Sequence, residues 1–484
     1  MEIAKRRGFF WPSFSLYGGE SGFYDFGPVG TLLKDRFLRL FRQSYLREGG
    51  IFIDTPTVTP KRVFQASGHL EKFEDLAVKC SRCGRYDRID SSLKKSGIAR
   101  ETTTLEDAIS LIDEGKLICA YCGGKIVSAE MMSQMFRVER GKGYEPYYLR
   151  PETAQGIFVN FKLLLNQNRG KLPMIVCQYG KGYRNEISPR QALLRQREFF
   201  MAEVEVFLDP EAGWTRDPPE DVVLTLLQNS GNKLRASAKN AHESGVIANR
   251  GMAYFIYITY SILRKCGIPE DGIRFRQHRK SELAHYARDA WDAEAVIDDD
   301  WVEIVGIADR GDYDLRKHSD FSGEPLSAEG GAVPVVVEPA YGVDRITMAV
   351  LSSSYYVREN GFKVMRLAPE ISPYIVAVLP LQIRDGLYAI ARELFAKLMN
   401  LNDYVAYDES GSIGRRYARQ DEIGTPYCIT VDYQTKEDST VTIRERDSTS
   451  QIRVKIDDLT GYPILQNTKL MKELSALSLS ASKK

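Results

Sequence analysis

The sequence carries no excess charge of one sign: 66 basic residues stand against 65 acidic ones, a net charge of +1 over 484 residues. No global field therefore draws the chain to polyanions, and any contact with nucleic acid has to be local. Cysteine is scarce, seven in all. That excludes a dense disulfide framework, and the odd count leaves at least one thiol unpaired. Long apolar runs are missing too. Met1 to Arg7 is charged and is followed by Phe9, Phe10 and Trp11 rather than by a signal segment, and nothing approaches a membrane span of about 20 apolar residues. This pattern favours the cytoplasm. Internal repeats are absent, as is the Gly-x-Gly-x-x-Gly turn of a dinucleotide fold.

What is present describes an ordered chain. Hydrophobic residues make up 43% and charged residues 27%, and the length suits two or three domains of roughly 100–200 residues each. Leu33, Phe37, Leu40, Phe41 and Tyr45 recur at helical spacing, which predicts an amphipathic helix over 31–48 closed by Gly49 and Gly50. A strand over 51–58 follows, its Pro56 suited to an edge. Further strands are expected over 174–178 and 199–207, then a polar stretch over 209–220 and a helical region to about Cys266. A strand pair over 292–297 and 301–307 leads into a Gly-rich charged loop up to Gly331, and a strand over 333–337 runs into a helix over 342–355. Mostly antiparallel strands with few intervening helices imply an α+β body. Near 366–374 the pattern changes to strand alternating with helix, which implies a separate α/β domain over 371–484 behind a body over 1–370.

Four cysteines form two pairs, Cys80 with Cys83 and Cys119 with Cys122, bracketing a polar segment that reads as an insertion over about 79–128. In a reducing compartment such turns read as a four-thiolate metal site or as a metal-free thiol knuckle. Cys177, Cys266 and Cys428 stand alone and read as core residues.

Charge also falls where a folded body needs apolar surface. In a strand continuing from Met174, Arg184 and Glu186 share a face, and the loop over 187–196 adds Arg190 and Arg195. The returning strand sets Phe199, Met201, Glu203 and Glu205 on one side and Phe200, Ala202, Val204 and Val206 on the other. A solvated face laced with ion pairs is the plain reading. Against it, the apolar run Val335-Val336-Val337 stops at Glu338, turns at Gly342 and puts Arg345 in a first helical turn. There a guanidinium can meet phosphate oxygens bidentately.

Together the helix over 31–48 with its strand to Pro56, the run from Tyr183-Arg184-Asn185-Glu186 to Arg197-Glu198-Phe199, and Gly342 to Arg345 resemble the three signature motifs of class II aminoacyl-tRNA synthetases. Arg150-Pro151-Glu152-Thr153-Ala154-Gln155, Met201-Ala202-Glu203 and Glu282-Leu283-Ala284-His285-Tyr286-Ala287 narrow the resemblance to glycyl-tRNA synthetases of the homodimeric, archaeal and eukaryotic type. Gly411-Ser412-Ile413-Gly414-Arg415-Arg416-Tyr417 is similar to that family's anticodon-binding domain, and the likeness runs from about Phe23 to Val454.

The resemblance implies ATP, glycine and tRNA(Gly) as partners, Mg²⁺ with the ATP, structural Zn²⁺ on Cys80, Cys83, Cys119 and Cys122, a homodimer and no membrane. Arg184, Arg345 and Glu303 become the catalytic set: Arg184 at the α-phosphate, Arg345 at the γ-phosphate, Glu303 as the Mg²⁺ ligand or, on the plain reading, an edge-strand carboxylate. Glu186 and Phe199 hold the adenine, and Asn185, Leu194, Arg195, Gln196, Arg197, Glu198, Ile304, Gly342, Val343 and Asp344 complete the ATP site. Glu152, Glu203 and Glu338 take the glycine ammonium, with Arg88 and Arg310 as carboxylate partners. Phe199, Phe200, Met201, Ala202, Pro339, Ala340, Tyr341 and Gly342 form the remaining glycine wall, Ala340 standing where the family usually has serine. Glycine has no smaller competitor, so no editing domain is required. Arg415, Arg416, Tyr417 and Arg419 are expected to face tRNA, the alternative being a solvated basic turn. His69, His285 and His318 are read as structural or tRNA-facing.

Overall fold

The computed structural model describes residues 2–98, 104–189 and 191–460. Its body is a nine-stranded sheet in the order Lys233–Ser237, Val223–Leu227, Ile273–Gln277, Asp289–Ile297, Asp300–Gly311, Val335–Gly342, Glu198–Leu208, Met174–Tyr183 and Ile51–Phe52. Pairing is antiparallel except at two joints, Val176 with Ile51 and Leu226 with Phe275. The α+β expectation holds.

Side chains alternate across this sheet with period two, and the two faces do different work. One carries Val204, Val206, Ile304, Ile307, Val337 and Tyr341 into a single large core with the helices Pro28–Arg47, Arg250–Lys265 and Val343–Ser354. The first of these starts with Pro28 in its opening turn and buries Phe37, Phe41 and Tyr45 at intervals of four. It closes before Gly49, whose φ of +83° suits a residue without a Cβ. The opposite face carries Met174, Val176, Phe207 and Val336 against Ile157, Phe161, Leu164 and Leu315.

Several expectations are corrected. The Gly-rich stretch before Gly331 contains a helix, Tyr313–Ser322, because Leu315 and His318 fall on one buried side and Gly323 caps it at φ +78°. The polar stretch after Asp209 is followed by a hairpin, Val223–Leu227 with Lys233–Ser237, before any helix forms; Gly231 at φ +89° makes its turn. The expected strand over 51–58 divides into Ile51–Phe52 and Val58–Pro60, since Pro56 donates no ladder hydrogen bond. Strand Met174–Tyr183 ends before Arg184, so Arg184 and Glu186 do not share a regular strand face. The Glu186 N–H bonds back to the Arg184 carbonyl at 2.7 Å, a tight turn instead.

Between Glu74 and Ser133 the insertion folds around its own small sheet, with Leu76, Val78, Ile89, Leu93, Leu111 and Ile126 as core. After Ile371 a second sheet begins, ordered Val405–Tyr407, Val376–Pro380, Tyr427–Val431, Thr440–Glu445 and Gln451–Lys455. Its first three strands are parallel, and Val376–Pro380 is buried along its length, hence its unbroken apolar run. Tyr404 of this unit donates to Asp35 on the Pro28–Arg47 helix at 2.6 Å. Among the described residues no helix is long and apolar enough to cross a membrane.

Candidate active site

The sheet register assembles the acids. Glu203 lies opposite Ala340, Ala340 opposite Gly306, and Glu338 opposite Ala308, so these side chains share the face away from the main core. Glu205 follows two residues along from Glu203 and is fully buried. A face this acidic needs a cation, and Arg310, 1% exposed, supplies it. Its Nε and Nη2 donate to both oxygens of Asp314 at 2.8 and 2.9 Å, and its Nη1 donates to Glu338 at 2.8 Å. Tyr286 lies under the guanidinium, 3.8 Å away.

The helix Tyr313–Ser322 therefore matters to the site through Asp314 and through His318. Gln155 donates to Glu152 at 3.0 Å and to Asp314 at 2.9 Å, while its carbonyl oxygen meets His318 Nε2 at 2.7 Å. His69 Nε2 stands 3.5 Å from Glu152, and its Nδ1 meets the Ser67 hydroxyl at 2.7 Å. Glu203 accepts the backbone N–H groups of Thr153 and Ala154 at 2.6 and 2.8 Å. Both Glu205 oxygens are buried with no hydrogen-bond partner among the described residues.

One cation among so many carboxyls separates their proton affinities. Burial pushes Glu338 up to about 8. Burial, then the nearby Glu152 charge, raises Glu203, and burial raises Glu205 further. Glu152 goes the other way: although burial opposes it, His69 and Arg310 hold its carboxyl low. The pocket thus sets Glu152, held low by His69 and Arg310, beside Glu203, Glu205 and Glu338, whose carboxyls burial pushes up.

This pocket opens into a cleft of about 340 Å³. Arg345, in the first turn of Val343–Ser354, donates to the Leu194 and Glu303 carbonyls at 3.1 and 3.0 Å and pairs with the Glu303 carboxylate at 3.2 Å. Arg345, ahead of Arg184, keeps Glu303 below its ordinary range. A Cβ on Gly342 would come within 3.3 Å of the Ile304 carbonyl, which favours glycine there. Arg184 lies between the rings of Phe199 and Phe73, at 5.3 and 5.4 Å. Glu186 pairs with Arg195 at 3.1 Å. Asp344 accepts from Gln196 at 2.6 Å and from the Phe200 N–H at 3.0 Å, and burial raises it to about 6.

Of the residues expected here, Glu152, Arg184, Glu186, Leu194, Arg195, Gln196, Phe199, Phe200, Met201, Glu203, Glu303, Ile304, Glu338, Ala340, Tyr341, Gly342, Asp344 and Arg345 line this one cleft. Asn185, Arg197, Glu198, Ala202, Pro339 and Val343 do not. Arg197, just ahead of the strand, turns outward to Glu20, and Glu198, which alternates with the cleft-lining Phe199, pairs with Lys181. Arg88 is held outside by Asp75 and Asp90, and Arg310 is enclosed behind the acids; neither faces the cleft as a free partner for a carboxylate. Arg190 lies outside the described residues. His278, Asp292 and Gly306 line the cleft without a signal singled out in the sequence, and Glu282, known there only as part of a motif, lines it too. His278 Nε2 is 2.8 Å from Asp292, which raises its pKa. The alternation of Asp292 and Glu294 with buried alanines in a core strand was the available signal.

In the second unit the basic group separates. Arg416 is buried and donates to the Glu409 and Gly411 carbonyls at 2.8 and 2.7 Å, so it closes a loop instead of facing tRNA. The Tyr417 hydroxyl bonds Thr430, and Arg419 pairs with Asp408. Arg415 alone of the four is exposed. In the insertion the Sγ atoms of Cys80, Cys83, Cys119 and Cys122 all lie within 4.8 Å of one another. Cys80 to Cys122 is 3.5 Å and Cys83 to Cys119 is 3.9 Å, close to the roughly 3.8 Å edge of a tetrahedron with 2.3 Å zinc–sulfur bonds. The Cys83 backbone N–H pulls the Cys80 thiol down to about 6. The donor set fits a structural zinc ion.

Comparison with known proteins agrees with this geometry. Residues 136–228 match the tRNA synthetase class II core domain (G, H, P, S and T), and residues 375–466 match the anticodon binding domain. The glycine–tRNA ligase of Methanothrix thermoacetophila is 40% identical over 94% of this chain and 94% of its own. That of Thermococcus gammatolerans is 40% identical, with 95% and 96% covered, and that of Methanocaldococcus jannaschii 39%, with 96% and 97% covered. The first alignment spans 547 positions against a chain of 484 residues, so that relative carries segments this chain lacks. A solved prolyl-tRNA synthetase of Giardia lamblia with prolyl-adenylate superposes with a TM-score of 0.61 at 15% identity, over 100% of this chain and 79% of that one, which speaks for the fold. On fold, cleft and sequence together, the chain belongs to the glycine–tRNA ligase family of class II aminoacyl-tRNA synthetases.

Proposed function

We propose that this protein activates glycine with ATP and passes the glycyl group to the 3′ end of tRNA(Gly). In the first step a glycine carboxylate oxygen attacks the α-phosphorus, and pyrophosphate leaves with the bonding electrons. In the second, a terminal ribose hydroxyl attacks the carbonyl carbon of the adenylate and AMP leaves. Both steps depend on alignment and on cations that meet developing negative charge. Arg184 serves at the α-phosphate and Arg345 at the far phosphate. Glu303 would hold the Mg²⁺ brought in with ATP, a hard cation suited to carboxylate. Glu186 and Phe199 take the adenine. Glu152, Glu203 and Glu338 surround the ammonium.

The observation that carries this reading is one cleft with two unlike ends: a buried carboxyl cluster at one, Arg184, Arg345 and an aromatic wall at the other. Only a small cationic group joined to a carboxylate that reaches a nucleotide uses both ends. Residues 1–370 form the catalytic body in this proposal and 371–484 the anticodon-binding unit, with Arg415 on its open side. Structural Zn²⁺ on the four cysteines, a homodimer and a cytoplasmic location complete it. The test is ATP–pyrophosphate exchange by the purified chain with Mg²⁺ and glycine, alanine, serine or proline. Exchange with glycine alone is expected; none above background with glycine overturns the reading. Sedimentation at micromolar concentration reports the dimer.

A further inference from the structure

We infer that the cysteine-bearing insertion braces the ATP end of the cleft, with Asp75, Gln134 and Ser188 as positioning residues for Arg184 and Glu186. This deepens the reading above and rests on it.

Past Tyr183 the sheet no longer supports the chain, so the backbone donors and acceptors that follow need other partners. The Arg184 N–H makes the last ladder bond, to the Arg197 carbonyl at 2.9 Å. Beyond it the Glu186 carbonyl accepts from Arg197 Nε at 3.2 Å, and two further partners come from the insertion and from Gln134, the residue after its last strand. The Asn185 N–H donates to the Gln134 carbonyl at 2.8 Å, and the Ser188 hydroxyl donates to the Tyr86 carbonyl at 3.0 Å. The turn carrying Glu186 is thus pinned on both sides by a structure that contributes no residue to the cleft wall.

The pins are themselves fixed. Gln134, 9% exposed, donates its backbone N–H to the Phe73 carbonyl at 3.1 Å and its side-chain amide to Asp75. Asp75 also takes the Arg88 guanidinium at 3.3 Å, and Arg88 reaches Asp90 at 2.8 Å. The place of Arg88 is therefore here, in the brace. Phe73, just ahead of strand Glu74–Cys80, forms one side of the slot that holds Arg184. At the other end of that strand Cys80 enters the thiol cluster. The strand is anchored at both ends, and its bonds reach the segment that orients an arginine and a carboxylate on the nucleotide.

Full-length protein carrying Ser188→Ala, Ser188→Thr or Asp75→Ala tests this, by calorimetric titration with Mg-ATP and by pyrophosphate exchange with each substrate varied. Ser188→Ala should weaken ATP roughly 3- to 10-fold, the equivalent of one lost hydrogen bond, with KM for glycine unchanged. Ser188→Thr, which keeps the hydroxyl, should restore it. Asp75→Ala, which removes the shared partner of the Gln134 amide and Arg88, should weaken ATP further. Unchanged ATP affinity in Ser188→Ala, or an equal rise in both KM values, overturns the inference. If Asp75→Ala fails to fold, the Ser188 pair still decides. Failure of the parent reading looks different: unaltered protein would bind ATP yet show no glycine-dependent exchange.

Discussion

The two ends of the cleft are built on opposite principles. At the amino-acid end the acids are buried, Glu203, Glu205 and Glu338 on strands, Asp314 on a helix and Glu152 just ahead of one, and one guanidinium, Arg310, sits among Asp314, Glu338 and Glu152. At the nucleotide end Asp344 is buried, but the facing pair stays partly open: the side chains of Arg345 and Glu303 are 35% and 50% exposed, and backbone carbonyls hold Arg345. A small zwitterion offers few contacts, so its site gains from charges already fixed in a low-dielectric setting. A nucleotide with its metal is large and must enter and leave, so its cations are tethered lightly. Stability and catalysis should accordingly separate between the ends.

The largest effect tests that separation directly. Arg310→Ala leaves several buried carboxyls without their cation and should cost about 3–5 kcal/mol in urea unfolding; a loss under about 1 kcal/mol would mean the acids absorb the change as protons and the contrast fails. Next, Arg345→Ala should leave unfolding within about 0.5 kcal/mol while lowering pyrophosphate exchange about 10²- to 10³-fold. If its unfolding shifts as far as that of Arg310→Ala, the nucleotide end is structural after all.

A smaller effect separates the ends by pH. Glu338, raised to about 8 by burial, holds a proton in the free pocket. An arriving ammonium favours its carboxylate, so glycine binding releases that proton and tightens as pH rises toward about 8, then levels off. The limit is about tenfold per pH unit, and a several-fold fall in KM for glycine between pH 7 and 8 is expected. Arg184 and Arg345 keep their charge over this range, since guanidinium groups do not titrate there. For the fold the sign is reversed: the raised pKa stabilises below the usual carboxylate range, and that contribution is lost as pH rises through about 8. A glycine KM independent of pH would place the proton elsewhere.

Much of the cleft was legible in the chain. Alternation placed Glu203 and Glu205 together, and the acid, turn and arginine of Glu338, Gly342 and Arg345 stood in a row. Residues that meet only across the fold were not legible. His278 and Asp292 reach the cleft from a neighbouring strand pair, and His69 and His318, read as structural or tRNA-facing, are buried against Glu152 and Gln155. Arg416 shows the limit most sharply. It lies in a basic run with Arg415 and Tyr417, yet its helix turns it inward to loop carbonyls while Arg415 stays in solvent.

The sequence alone determined which faces of the strands are charged, where the arginines fall against helix starts, and which cysteines stand in Cys-x-x-Cys turns, because period and spacing are local properties of a polypeptide. Only the tertiary structure decided which carboxyls are pushed up and which is held low, which arginine is consumed by the acids around it, and that the cysteine insertion reaches the Glu186 turn. Those outcomes depend on burial and on distances between segments remote in the chain. Electrostatic energies vary with both, and neither is written in the order of the residues.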